Sequence, residues 1–213
     1  YGEYSLVEVQ APYGYALDKT PVAFSVSLEN AEKENSLTIV KVEKQNTAQK
    51  GKISVRKTGD IFTSVNMASS AYTDENGELV VNSTTYTPVF ADGDLSGAVF
   101  QVIAVEDIVT LDGTTRAYAG DVVSEITTDE NGYAETEPLY LGKYEIREIK
   151  APEGYVLNNE PKDVELTYAG QEFEVRDTVN TAFENEYQSV RISLSKVMEN
   201  DELFGIGNNN EYL

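Results

Sequence analysis

The chain has 213 residues, with 16 Lys and Arg against 37 Asp and Glu, a formal charge of −21, and no His, Cys or Trp. Without His or Cys there is no His-based triad, no thiol nucleophile, no disulfide framework, and no zinc, haem or iron–sulfur site built from the usual ligands. The acidity disfavours nucleic acid and anionic lipid surfaces as partners, and no stretch approaches the roughly 18 to 20 apolar residues of a membrane span.

Taken in chain order, the elements are short strands. Tyr4–Gln10 is strand-like, and Ile53–Lys57, Ala98–Val105, Val122–Thr127 and Tyr144–Ile149 alternate apolar and polar residues at period two. Val164–Tyr168 and Phe173–Arg176 form a further pair across Ala169-Gly170. Asn76-Gly77, Asp112-Gly113 and Asn131-Gly132 are hairpin turn signals, and no amphipathic helix stands out. The class this predicts is all-β, an antiparallel sandwich.

The chain also repeats itself. Gly2–Leu17 reappears as Gly142–Leu157, with Glu8 and Glu148 separated by 140 residues, and Asn46–Lys57 aligns with Asn185–Lys196 at a step of 139. The expected organisation is a slice of a tandem array. Residues 1–46 are the C-terminal part of a preceding unit, 47–188 a complete unit with an insertion at about 60–94, and 189–213 the start of a following unit.

Three polar residues fall on inward faces. Period two places Lys57 with Ile53 and Val55, Glu148 with Tyr144 and Ile146, and Asn185 with Phe183. One reading is a buried Lys–Glu pair hydrogen-bonded to an amide, an arrangement seldom better than apolar residues of the same volume. The other is chemical. Desolvation drives Lys towards a neutral, nucleophilic amine and Glu towards a neutral acid, so Lys57 could attack the Asn185 side-chain carbonyl and release ammonia.

The run Tyr144-x-Ile146-x-Glu148-x-x-Ala151-Pro152-x-Gly154-Tyr155-x-Leu157, the segment Leu95-Ser96-Gly97-Ala98-Val99-Phe100, and Lys57 ending a first strand resemble the Cna B-type repeats of collagen adhesins and the SpaA-like (prealbumin-like) domains of Gram-positive pilins. The resemblance implies an immunoglobulin-like or prealbumin-like sandwich with an intramolecular isopeptide bond between Lys57 and Asn185, catalysed by Glu148. It further implies a stalk or spacer module of a cell-wall-anchored adhesin or pilin, outside a Gram-positive cell, with neighbouring repeats of the same polypeptide as partners and no cofactor. Its equivalents in the partial units are Glu8, Asn46 and Lys196, and only the middle unit can cross-link within this stretch of chain. Asn180 is a rival acceptor, although the shared spacing of eleven residues (Asn46 to Lys57, Asn185 to Lys196) favours Asn185.

Other features point less far. Asp92-Gly93-Asp94-Leu95-Ser96-Gly97 opens like an EF-hand loop, but Ile103 stands at its twelfth position, where calcium needs a bidentate Glu. Thr73–Gly77 and Thr128–Gly132 read as hairpin turns. Tyr72, Tyr86, Phe90, Tyr118 and Tyr133 are expected in the core or in cross-strand pairs. An alternative function is a binding module in which the insertion contacts a host matrix protein or glycan. An enzyme is disfavoured because no specific carboxylate pair emerges.

Overall fold

A computed structural model describes residues 1–27, 32–34 and 37–193. Among these residues there is no α-helix, and sixteen strands follow one another. The N-terminal stretch carries β1 (Gly2–Leu6) and β2 (Val22–Val26), paired antiparallel, then β3 (Glu32–Glu34) and β4 (Leu37–Ile39). From there run β5 (Lys50–Gly51), β6 (Ile53–Thr73), β7 (Leu79–Asp94), β8 (Val99–Ala104), β9 (Ile108–Val109) and β10 (Thr115–Ala117). The last six are β11 (Val122–Thr127), β12 (Tyr133–Glu135), β13 (Leu139–Tyr140), β14 (Gly142–Lys150), β15 (Lys162–Leu166) and β16 (Val179–Asn185).

Two sheets enclose the core. One has the order β11-β8-β14-β15; the other is β12-β6-β16, with β7 also on β6. β16 runs parallel to β6, so the last strand lies beside the first, with Phe183 level with Lys57 and Asn185 level with Gly59. Alternation does the sorting. Ile53 and Val55 from β6, Phe100 and Val102 from β8, Tyr144 and Ile146 from β14, and Phe183 from β16 are all buried in one cluster. Phe100 and Phe183 meet across the two sheets at 4.8 Å between ring centres. The Tyr144 hydroxyl donates to the Tyr140 carbonyl at 2.6 Å, and burial pushes its pKa up to about 12.

The insertion is an extended arm. β6 continues far beyond the sandwich and pairs with β7 from Thr58–Asp94 out to Thr73–Leu79, turning at Asn76-Gly77 with Gly77 at φ +85°. The two Asp-led turns share one construction. Asp74 Oδ1 accepts from the N–H groups of Asn76 and Glu78, and Asp129 Oδ1 from those of Asn131 and Tyr133, which holds both carboxyls below the usual range.

Two expectations from the sequence need correction. Val164–Tyr168 and Phe173–Arg176 do not form a hairpin, because the Gln49 side chain, 1% exposed, fills the loop between them. Its Nε2 donates to the carbonyls of Gly170 (2.8 Å) and Phe173 (2.7 Å), and its Oε1 accepts from the Ala169 N–H (2.8 Å). Lys50 then takes the backbone of Glu174 and Arg176 at 2.9 Å each. Nor do Tyr72, Tyr86, Phe90 and Tyr118 enter the core, since all are exposed. The first three take the other expected place, cross-strand pairs, on the arm opposite Val80, Met67 and Phe62, and among the described residues no second sheet lies over them. Tyr133, also exposed, sits opposite Arg56 on the outer face.

The N-terminal stretch contacts the larger body at its opposite pole. Tyr13 and Tyr168 meet at 4.6 Å between ring centres, Ala11 N–H donates to Gln171 Oε1 (2.9 Å), and Asp112 N–H donates to the Tyr15 hydroxyl (3.2 Å).

Candidate functional site

Lys57, Glu148 and Asn185 converge from three strands, β6, β14 and β16, and are 0%, 1% and 3% exposed. Gly59 makes the approach possible. A Cβ there would lie 2.6 Å from the Asn185 carbonyl oxygen and 3.3 Å from the Tyr155 ring, so a larger residue would push β16 and the Tyr155 loop away from β6.

The polar contacts are asymmetric. Asn185 Nδ2 donates to Glu148 Oε2 at 2.9 Å and to the Val156 carbonyl at 2.5 Å. A carbonyl can only accept, so Val156 selects the amide orientation in which the NH2 group points at it. Asn158 N–H also donates to Glu148 Oε2, at 2.9 Å, which leaves Oε1 turned to Lys57 Nζ at 3.9 Å. That separation exceeds a hydrogen bond. Lys57 Nζ, Glu148 Oε1 and Asn185 Oδ1 are thus all buried without a hydrogen-bond partner. Burial lowers the Lys57 pKa from 10.5 to about 8, outweighing the attraction of Glu148.

Asn180 is not part of this group. It lies on the exposed side of β16, where its Oδ1 accepts from Ser54 Oγ at 2.6 Å. Period two along β16 separates it from Phe183 and Asn185.

A second, smaller constellation occurs near the N-terminus. Asn46 Nδ2 donates to Glu8 Oε1 (2.8 Å), Glu8 Oε2 (2.7 Å) and the Ala16 carbonyl (3.2 Å), and Asp18 N–H donates to Glu8 Oε2 (3.1 Å). Ala16 and Asp18 occupy the positions of Val156 and Asn158 in the repeated block. The match extends to the backbone. Ala16 N bonds Thr47 O as Val156 N bonds Glu186 O, both at 2.9 Å, and Gln49 N bonds Gly14 O as Gln188 N bonds Gly154 O, both at 2.8 Å. Both side chains of this smaller pair are half-buried, and among the described residues no lysine stands where Lys57 stands in the larger group. Lys196 lies outside the described residues.

Sequence reasoning missed the backbone partners of Glu148 and Asn185. It also missed the aromatic contacts beside them, where Tyr155 and Tyr187 meet at 4.8 Å and Tyr187 meets Phe90 of the arm at 5.2 Å. The Tyr155 hydroxyl donates to the Asp60 carbonyl at 2.6 Å, at the point where β6 leaves β16 behind. Tyr155 stands in the repeated block, so its recurrence was visible; the ring that receives it was not.

A prealbumin-like sandwich whose first and last strands run side by side, with this polar group between the sheets, defines a class, and the family comparison agrees. The chain belongs to the SpaA prealbumin-like fold domain family, matched over residues 1–41 and 89–181. The match takes in Glu8 and Glu148 and leaves out most of the arm. The trypsin-resistant surface T6 protein of Streptococcus pyogenes serotype M6 is 28% identical over 147 residues, 69% of this chain and 23% of that protein. The chain therefore spans about a quarter of that relative's length. Among solved structures, the Bacillus anthracis TIE protein matches 87% of this chain and 25% of its own at 22% identity and a TM-score of 0.46. GBS52, a minor pilin of Streptococcus agalactiae, matches 83% of this chain and 62% of its own at 16% identity and a TM-score of 0.39.

Proposed function

We propose that residues 47–188 form a self-cross-linking stalk unit of a Gram-positive surface protein of the pilin kind. Lys57 bonds covalently to Asn185, and Glu148 moves the protons. The observation that carries this reading is the convergence of three buried, unpartnered atoms: Lys57 Nζ, Glu148 Oε1 and Asn185 Oδ1. Orphaned buried polar atoms cost about 1 to 3 kcal/mol each, more when charged, so a reaction that consumes the amine relieves a standing penalty.

With its pKa near 8, about a tenth of Lys57 is neutral at pH 7. The neutral amine attacks Asn185 Cγ. The Nζ–Cγ bond forms, the Cγ–Nδ2 bond breaks, a proton from Nζ passes to Glu148 Oε1, and Glu148 delivers a proton to Nδ2 through Oε2, the oxygen already beside it. Ammonia leaves past the Val156 carbonyl into the cleft lined by Leu157, Asn158 and Glu184. Glu148 ends as it began, and the products balance as one amide and one ammonia.

In this reading residues 1–46 close a preceding unit, with Glu8 and Asn46 as its catalyst and acceptor, and 189–213 open a following unit with Lys196 as its lysine. The bond ties the first strand to the last, so tension on the ends loads a covalent link. The name of the T6 relative, a trypsin-resistant surface protein, accords with an extracellular setting; a cell-wall anchor and neighbouring repeats of the same polypeptide as partners complete the reading.

The test is the intact mass of the protein beside Lys57→Ala and Glu148→Ala. Loss of ammonia lowers the mass by about 17 Da. A deficit in the parent protein that is absent from both variants supports the reading; full mass in the parent overturns it.

A second reading rests on the arm, whose uncharged stem exposes Met67, Tyr72 and Tyr86. There the unit is an adhesin module that takes a host matrix protein or glycan through residues 60–94. Deleting the hairpin would then abolish adhesion while the sandwich stays folded.

A further inference from the structure

The arm points the way the chain is going. β16 is parallel to β6 and ends at Asn185, level with Gly59; β6 continues in the same direction for the fourteen residues from Asp60 to Thr73. At 3.3 Å per residue that is roughly 45 Å of ribbon projecting past the pole from which the chain departs after β16.

Apart from Phe90, which packs on Tyr187, most of its described side chains stand exposed. A two-stranded ribbon is marginal alone in water, and native proteins blunt exposed edges with charge. This one does the reverse. In a chain of charge −21, residues 61–73 and 79–91 contain no charged residue at all; the acids stand at the tip, Asp74, Glu75 and Glu78. On one face Val65 pairs with Pro88 and Met67 with Tyr86, and Val65, Met67 and Tyr86 are 48%, 66% and 67% exposed.

A second uncovered row emerges beside it. Val190 and Ile192 alternate with polar residues directly after Gln188 and are 82% and 90% exposed. Contact between arm and departing chain has already begun, since Phe90 of the arm packs on Tyr187 at 5.2 Å. The registers also agree. Counting on from Asn185 level with Gly59, and allowing for the extra residue in β6 between Phe62 and Ser64, Val190 falls beside Val65 and Ile192 beside Met67.

We propose that the β6–β7 arm is a splint across the joint to the following segment. The chain at Val190–Ser193 adds as a parallel strand to the free edge of β6, and Val190 and Ile192 lie beside Val65 and Met67 on the apolar face. The occupant is this chain's own continuation. An uncharged ribbon sets no like charge against the continuing chain, whose residues 189–198 carry Arg191 and Lys196 and no acid. The proposal rests on residues 189–213 opening a further unit, as proposed above, but not on the isopeptide bond.

The test is amide hydrogen exchange on the whole 213-residue chain and on V190P/I192P, where proline removes two donors from the added strand. The splint requires slow exchange at the alternate amides of β6 between residues 61 and 69 that do not face β7, accelerated at least tenfold in the variant, with amides facing β7 unchanged. Fast exchange along that edge in the parent chain overturns it, as does equal protection in both proteins. Protection that grows with protein concentration identifies a second copy as the occupant and also overturns it. The mass deficit of the middle unit is read in the same samples. Its loss with the splint intact, or its presence with the splint absent, separates failure of the cross-link from failure of this proposal.

Discussion

Two glutamate–asparagine pairs in this chain share a local frame and differ in what surrounds them. Glu148 and Asn185 are buried with Lys57, and three of their atoms lack partners; Glu8 and Asn46 are half-buried, and both Glu8 oxygens accept from Asn46. The Ala-Pro-x-Gly-Tyr turn builds each frame in the same way, presenting one carbonyl to the asparagine amide and one N–H to the glutamate. What differs is the second sheet. Where β6 supplies a desolvated lysine, a satisfied hydrogen-bonded pair becomes a frustrated triad, and frustration of that kind is chemical potential.

The sharpest way to break this contrast is Asn185→Ala. If the cross-link forms, its removal frees a loop of more than a hundred residues in the unfolded chain and lowers unfolding stability by about 5 kcal/mol in the loop-closure model, measured by denaturant titration. A loss under about 2 kcal/mol would reduce the triad to an ordinary polar cluster. Gly59→Ala comes next. Its Cβ meets the Asn185 backbone, so we expect a loss of about 1 to 3 kcal/mol and a smaller cross-linked fraction by intact mass. Gln49→Ala, between the two sites, strands two carbonyls and one N–H of the 169–173 loop; about 1 to 3 kcal/mol and faster hydrogen exchange there are expected.

The fourth prediction is a pH dependence, read in Asn185→Ala so that no bond masks it. The Lys57 pKa is lowered on folding, from 10.5 to about 8. Below pH 8 the lysine is protonated in both states and its burial penalty is complete. Between about 8 and 10.5 the unfolded chain holds the proton and the folded one does not, so stability rises with pH across that window. A flat profile from pH 8 to 10, below the range where Tyr144 begins to oppose it, would mean that Lys57 is solvated. The smallest effect belongs to the half-site. Asn46→Ala should cost less than about 1 kcal/mol and leave the mass deficit unchanged, because its amide is half-buried and faces no lysine.

Much of this was legible in the residues. Strict alternation in Ile53–Lys57 and Tyr144–Glu148, and the step from Phe183 to Asn185, identified the inward faces, and the structure has Lys57, Glu148 and Asn185 buried. The repeated Gly-x-Tyr block marked Glu8 and the repeated Asn46–Lys57 block marked Asn46 as a second pair. The extra length between Lys57 and Leu95 announced an inserted lobe or hairpin. Its aromatics take the cross-strand pairs expected of them and not the core, a choice left open because period and composition cannot tell a strand with a sheet above it from one with water above it. The expected hairpin across Ala169-Gly170 failed for a related reason. Gln49, far away in sequence, takes the backbone groups that would have paired.

The sequence by itself determined which side chains face inward, where turns fall and which blocks recur, because period two and turn chemistry act over a few residues. Tertiary structure decided the rest: that β6 lies beside β16, that the Val156 carbonyl orients the Asn185 amide, that Lys57 loses its water, and that one ribbon has no sheet over it among the described residues. Each of these depends on which distant strands meet, and desolvation is a property of everything around a group, not of the segment that carries it.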